Sequence, residues 1–168
     1  MAFCGKLQDE RDISYIPMLT QNLVVGVDTS HELARRKSVS LEELKKYNLV
    51  SYRTESYAST ILEGLFRRAE LSPKQGFNDE ISAASLVCAE KNVVAVMLET
   101  LDDHNIEGFV SIPIEEVRDP FHIIYLAYKE HAFHSCVADQ LIEFAQQFAK
   151  FPAGVASLED FYRRERAS

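Results

Sequence analysis

The sequence has no tryptophan and only three cysteines in 168 residues. Cys4, Cys88 and Cys136 are far apart and form no CxxC pair, so they read as reduced thiols rather than a disulfide frame or a zinc ribbon. No apolar run approaches the ~20 residues a membrane-spanning helix needs. Met1-Ala2-Phe3-Cys4-Gly5 lacks the charged start and apolar core of a signal peptide. A cytoplasmic protein with no membrane partner is expected. Basic residues are also in deficit: 18 Lys and Arg stand against 26 Asp and Glu, a formal net charge of −8. Such a chain offers no basic face for a phosphate backbone, and no helix-turn-helix pattern precedes Asn22. GxSxG, P-loop and HExxH spacings are missing, which leaves nucleophilic, phosphoryl-transfer and zinc-hydrolase chemistry without a starting residue. No repeat or low-complexity segment occurs.

What is present is a globular composition, 46% hydrophobic and 26% charged, long enough for one domain or two small lobes with a real core. The chain is organised around the stretch from Val24 to Leu44. Val24, Val25 and Val27 form a β-type run that breaks at Asp28-Thr29-Ser30, a cluster of turn formers. A basic segment, Arg35-Arg36-Lys37, follows and reads as a solvated face. Ser40 with Glu43 three residues on predicts a capping box, each side chain taking an orphan N–H of the helix from Leu41 to Tyr47.

Elsewhere, Ala2-Phe3-Cys4 is expected as a short buried strand with a turn at Gly5-Lys6. Gln8 to Ser14 reads as loop, and Tyr15 to Leu19 as extended. Strand Leu49–Arg53, helix Tyr57–Glu70, a strand or turn at Gly76-Phe77-Asn78, helix Asp79–Lys91 and strand Val93–Leu98 alternate as α/β units do, which predicts parallel pairing. Asn92 is placed to end its helix in a left-handed conformation. Thr100 to Asn105 is expected as a crossing between lobes. Strands follow at Val110–Ile114 and His122–Lys129. A helix spans Phe133 to Phe148, with Val137, Leu141, Phe144, Ala145 and Phe148 as its apolar stripe.

Hydroxyl residues crowd one place. Ser51, Thr54, Ser56, Tyr57, Ser59 and Thr60 mark the end of a strand and the start of a helix. Ligands of open α/β sheets bind there, and helix N–H groups favour an anion; simple capping by Thr54 or Ser56 is the plainer reading. Cys4, Gly5 and Lys6 follow another strand end, where Lys6 suits either a carboxylate partner or solvent. Phe77 and Asn78 lie at a third strand end, with core packing the plainer role for Phe77. His131 and His134, at i and i+3, lack a third ligand, and Asp102-Asp103-His104 reads as a polar loop. Neither a metal nor a cofactor is expected, and no catalytic residue is singled out.

The run Asp28-Thr29-Ser30-His31-Glu32-Leu33-Ala34-Arg35-Arg36-Lys37-Ser38-Val39-Ser40-Leu41-Glu42-Glu43-Leu44 resembles the segment after the central strand of the effector-binding domain of LysR-type transcriptional regulators. That family writes His-Pro-Leu-Ala, a few basic residues and a Leu-Glu-Glu-Leu helix; Glu32 here replaces the proline. Asn92 and Val94 replace glycines of a further family segment. The resemblance continues to about Phe151.

It implies an α/β, two-lobed, periplasmic-binding-protein-like (type 2) fold. Residues 1–27 with 102–152 would form a partial lobe one, 28–101 lobe two, and 153–168 a tail with a possible short helix. It also implies that this sequence lacks the winged helix-turn-helix and the start of lobe one. The function implied is sensing of a small, anionic effector between the lobes by Cys4, Gly5, Lys6, Ser51, Thr54, Ser56, Tyr57, Ser59, Phe77 and Asn78. Output to DNA would pass through a domain outside this chain. A homodimer is expected, with helix Tyr57–Glu70 or Phe133–Phe148 as its surface. The alternatives are a stand-alone small-molecule binding protein and a small α/β enzyme using Cys4 or Cys88.

Overall fold

Val24, Val25 and Val27 lie on an interior strand of a five-stranded sheet. The computed structural model describes residues 1–6, 12–99, 106–117 and 120–150, and by its internal contacts the chain divides into two units. One comprises Met1–Gln21 with the segment from Pro120 onward; the other is Asn22–Asp119. The passages between units therefore fall near Gln21 and Asp119, not at residues 27/28 and 101/102. The reason is strand pairing. β3 (Leu23–Asp28) is hydrogen-bonded between the strands β6 (Val93–Leu98) and β7 (Phe109–Pro113), so it cannot belong to the other sheet.

In this second unit the order is β5-β4-β6-β3-β7, with β4 being Asn48–Tyr52 and β5 Lys74–Phe77. β4 runs parallel to both β5 and β6, as the α/β alternation predicts, while β3 and β7 are antiparallel, giving a mixed sheet. Every residue of β3 and β6 is buried. Gly26 is required there by space: a Cβ would lie 2.6 Å from Phe109 Cε2 and 3.0 Å from Met97 Sδ.

The turn after β3 is held by Asp28, whose carboxylate accepts the Ser30 N–H at 2.8 Å and the Ser30 hydroxyl. These bonds hold the Asp28 carboxyl below its ordinary pKa. His31 Nδ1 accepts the Leu33 N–H at 3.2 Å and caps a 3-10 turn at Glu32–Arg35. Helix α1 is shorter than expected, Leu41–Leu44. Ser40 Oγ accepts the Glu43 N–H at 3.2 Å, but Glu43 turns to Arg36 at 2.6 Å, so only half of the capping box forms.

Helix α2 (Tyr57–Ala69) is capped by Ser56 and ends on Glu70 in the left-handed conformation, φ 55°. Helix α3 (Glu80–Ala89) is capped by Asp79 and ends at Glu90. Asn92, expected in the left-handed role, is not among the positive-φ residues.

The first unit holds a three-stranded antiparallel sheet, β1-β8-β2: Ala2–Cys4, His122–Lys129 and Ile13–Gln21. β2 thus begins within the segment expected as loop. β1 is a strand but not a buried one, since Phe3 is 59% exposed. Helix α4 (Cys136–Lys150) packs on this sheet through Ile142 and Ala145, which join Ile16 and Leu126 in one apolar cluster. Of the expected stripe only Ala145 is buried; Val137, Leu141 and Phe144 are exposed. The lobe crossing at Thr100 to Asn105 with Asp102-Asp103-His104, and the tail 153–168, lie outside the described residues.

Candidate functional site

The carboxyl ends of parallel strands β4, β5 and β6 share one edge of the second unit, and the N-termini of α2 and α3 follow the first two directly. This arises because a polar residue able to cap the next helix follows each strand within a few residues, Ser56 after Tyr52 and Asp79 after Phe77. Ser56 Oγ accepts the Ser59 N–H at 3.0 Å, and the Ser56 carbonyl receives the hydroxyls of Ser59 at 2.9 Å and Thr60 at 3.2 Å. Asp79 Oδ1 accepts the Ser82 N–H at 2.8 Å, which holds its carboxyl below the ordinary value.

A cavity of about 450 Å³ opens along α2 against β4 and β5, within the size range of small-ligand sites. Ser51, Thr54 and Ser59 line it, joined by Thr60 and Gln75; Phe66, Leu71 and Pro73 form an apolar floor. Charge at its rim comes from Glu55, Glu63 and Arg67, with Arg67 paired to Glu63 at 2.8 Å.

The expected residues divide. Ser51 is buried and donates to the Val96 carbonyl at 3.0 Å, tying β4 to β6. Thr54 is exposed and hydrogen-bonded to Gln75. Tyr57 is 42% exposed at the first position of α2. Phe77 is buried with its ring 4.7 Å from that of Tyr52, the core role, while Asn78 is exposed beside the α3 cap. Cys4, Gly5 and Lys6 belong to the first unit: Cys4 is half-buried, Gly5 buried, and the Lys6 ammonium lies 5.7 Å over the Tyr15 ring.

Tyr52 was not legible as a site residue. Its hydroxyl donates to Glu80 Oε1 at 2.6 Å and accepts the Leu98 N–H at 2.9 Å, joining the first turn of α3 to the end of β6. Only its place as the last residue of a strand hinted at this. Gln75 was missed because β5 itself is too short to show alternation.

His134 lies 3.6 Å from Asp139 and packs its ring on Tyr128; among the described residues no group of three or more His, Cys, Asp or Glu is placed to hold a metal. Burial and the Asp28 charge push the Cys88 thiol up, the opposite of nucleophile activation. No described helix is long and apolar enough to cross a membrane.

The profile of the LysR substrate binding domain matches residues 1–150. The chain belongs to this family. Its fold is that of LysR effector-binding domains, the type 2 periplasmic-binding-protein-like fold, and effector sensing in a LysR regulator is the function of such a domain. Among solved structures it resembles the effector-binding domain of QuiR in complex with shikimate: 23% identity, TM-score 0.75, covering 88% of this chain and 70% of that one. It is also similar to the CcmR regulatory domain of Synechocystis PCC6803 in complex with 2-PG, at 16% identity and TM-score 0.72 over 89% and 73%. The BenM effector-binding domain with benzoate gives 19% identity and TM-score 0.67 over 91% and 70%. No curated protein sequence is significantly similar to the chain.

Proposed function

We propose that this LysR substrate-binding domain senses a small hydroxylated carboxylate, with the cavity beside α2 in the second unit as its binding site. The observation that carries the reading is the chemistry of that cavity: Thr54, Ser59, Thr60 and Gln75 at the carboxyl edge of β4 and β5, over an apolar floor. Hydroxyls and an amide both donate and accept, which suits a ligand bearing hydroxyl and carboxylate groups. The positive end of the α2 dipole adds a preference for negative charge. Shikimate and benzoate, bound by two structurally similar domains, are carboxylates. In this reading Thr54, Ser56, Tyr57, Ser59 and Asn78 meet the effector, and Ser51 and Phe77 support the walls. The domain acts by binding rather than catalysis, as a cytoplasmic dimer, and passes the signal to a DNA-binding domain. Binding shifts output only if the effector favours one arrangement of the regulator over another.

A thermal-unfolding screen of this chain against small carboxylates tests the reading. A ligand at a hundred times its Kd adds about 2.7 kcal/mol, a rise of several degrees for a domain of this size. Thr54→Val and Ser59→Ala, both lining the cavity, are expected to abolish the rise without lowering the unliganded Tm by more than about a degree or two. A rise that survives both substitutions overturns the placement of the site.

A further inference from the structure

The cavity beside α2 offers acceptors more than donors, because its hydroxyls have already given their protons away. Ser51 donates to the Val96 carbonyl, Ser59 and Thr60 to the Ser56 carbonyl, and Thr54 to Gln75 Oε1. A hydroxyl carries one O–H and two lone pairs, so each can still accept without giving anything up. Donating to a ligand would break the bond it now makes. The Thr54 bond also engages the Gln75 oxygen and leaves its NH2 group as a donor without a protein partner among the described residues. Charge runs the same way. The charged side chains of the lining are Glu55, Glu63 and Arg67, two carboxylates against one guanidinium. Arg67 is committed to Glu63 at 2.8 Å, and the Glu55 carboxylate has no partner among the described residues. Glu55 also has a positive φ, 75°, where glycine or asparagine sits more easily. The positive end of the α2 dipole counts against a cation, but it amounts to about half a unit charge, less than the full charge of Glu55.

We infer that the effector carries a protonated amine as well as its carboxylate, as an α-amino acid does. The inference rests on the effector reading above and names the second charge of that ligand. The ammonium, which only donates, meets Glu55 and the lone pairs of Thr54, Ser59 and Thr60. The carboxylate takes the Gln75 NH2 group and the remaining N–H groups of the Arg67 guanidinium. An α-hydroxy acid of the same shape brings one donor where the ammonium brings three, and no charge to oppose Glu55. Glu55 is thus the residue that sorts amino acids from hydroxy acids.

Thermal unfolding and calorimetric titration of the 168-residue chain at neutral pH test this with matched probes. These are the standard α-amino acids and the α-hydroxy acids that share their side chains. At least one amino acid is expected to raise Tm by several degrees at about a hundred times its Kd. Its hydroxy-acid twin should bind about tenfold or more weakly. Glu55→Gln should weaken the amino acid by about the same factor without weakening the twin. Glu55→Asp keeps the charge and fits a positive φ, so it should retain most of the binding. Glu55 is exposed, so neither substitution should move the unliganded Tm by more than about a degree or two. A hydroxy acid that binds as tightly as its twin, or an amino acid indifferent to Glu55→Gln, overturns the inference and leaves the effector reading standing. A flat response to both series and to the carboxylates of the first screen overturns that reading as well.

Discussion

At the scale of single residues, Tyr52 has the most to lose. Its buried hydroxyl serves a carboxylate and a backbone N–H at once, so Tyr52→Phe leaves the Leu98 N–H without that partner. The expected cost is about 1–3 kcal/mol, read as a lower urea midpoint at unchanged m. Asp79 supplies a pH signature. Its folded pKa lies below the ordinary 3.8 because it accepts the Ser82 N–H. Its stabilising share is therefore fully present above 3.8 and is lost as pH falls through the lower folded value. Asp79→Asn should flatten the acid limb of the stability–pH curve in that window alone and leave the curve near neutrality parallel. The two hydroxyls Ser51 and Thr54 show where residue-level reading stops. Composition marks both as site candidates. Only the pleat of β4 decides that Ser51 turns inward to Val96 while Thr54, past the strand end, stays outside.

Elements were legible in proportion to how local their causes are. The Ser40 cap is written in four residues and forms, and the structure settles two neighbouring choices, Ser56 over Thr54 for α2 and Asp79 over Asn78 for α3. The parallel set β4, β5 and β6 follows from alternation with helices. The antiparallel placement of β3 between β6 and β7 depends on pairing across about seventy to ninety residues of chain, and no local pattern carries it. Helix α4 is the instructive case. Its 3.6-residue periodicity reveals an amphipathic helix, but the apolar arc is wider than the sheet beneath it, and periodicity does not say which part is covered. Ile142→Ala should cost about 2–5 kcal/mol, whereas Val137→Ser, measured at concentrations too low for association, should stay within about 0.5 kcal/mol. Chemical denaturation of both variants checks this. In β3, Gly26→Ala should cost about 1–3 kcal/mol by overpacking against Phe109, measured the same way.

On the scale of the whole molecule, burial is unequal between the two sheets. β3 and β6 are buried throughout, whereas β1 is a three-residue edge with an exposed phenylalanine. Native-state hydrogen exchange should therefore find the slowest amides in β3 and β6 and, among strands, the fastest in β1. The cavity beside α2 was foreshadowed by the hydroxyl-rich strand end, and family membership by the run from Asp28 to Leu44. Which of those hydroxyls face the cavity depends on tertiary placement, and no residue pattern along the chain encodes that.

The division into units also sets an order of birth. Asn22–Asp119 is one continuous stretch, inserted between the two pieces of the other unit, and its last strand is complete at Pro113. The three-stranded sheet has β8 as its middle strand, so β1 and β2, made before the inserted unit, gain their shared partner only when residue 129 has left the ribosome. At about 5–20 residues per second, these two strands wait several seconds or more for that partner while the inserted unit, made after them, can already close.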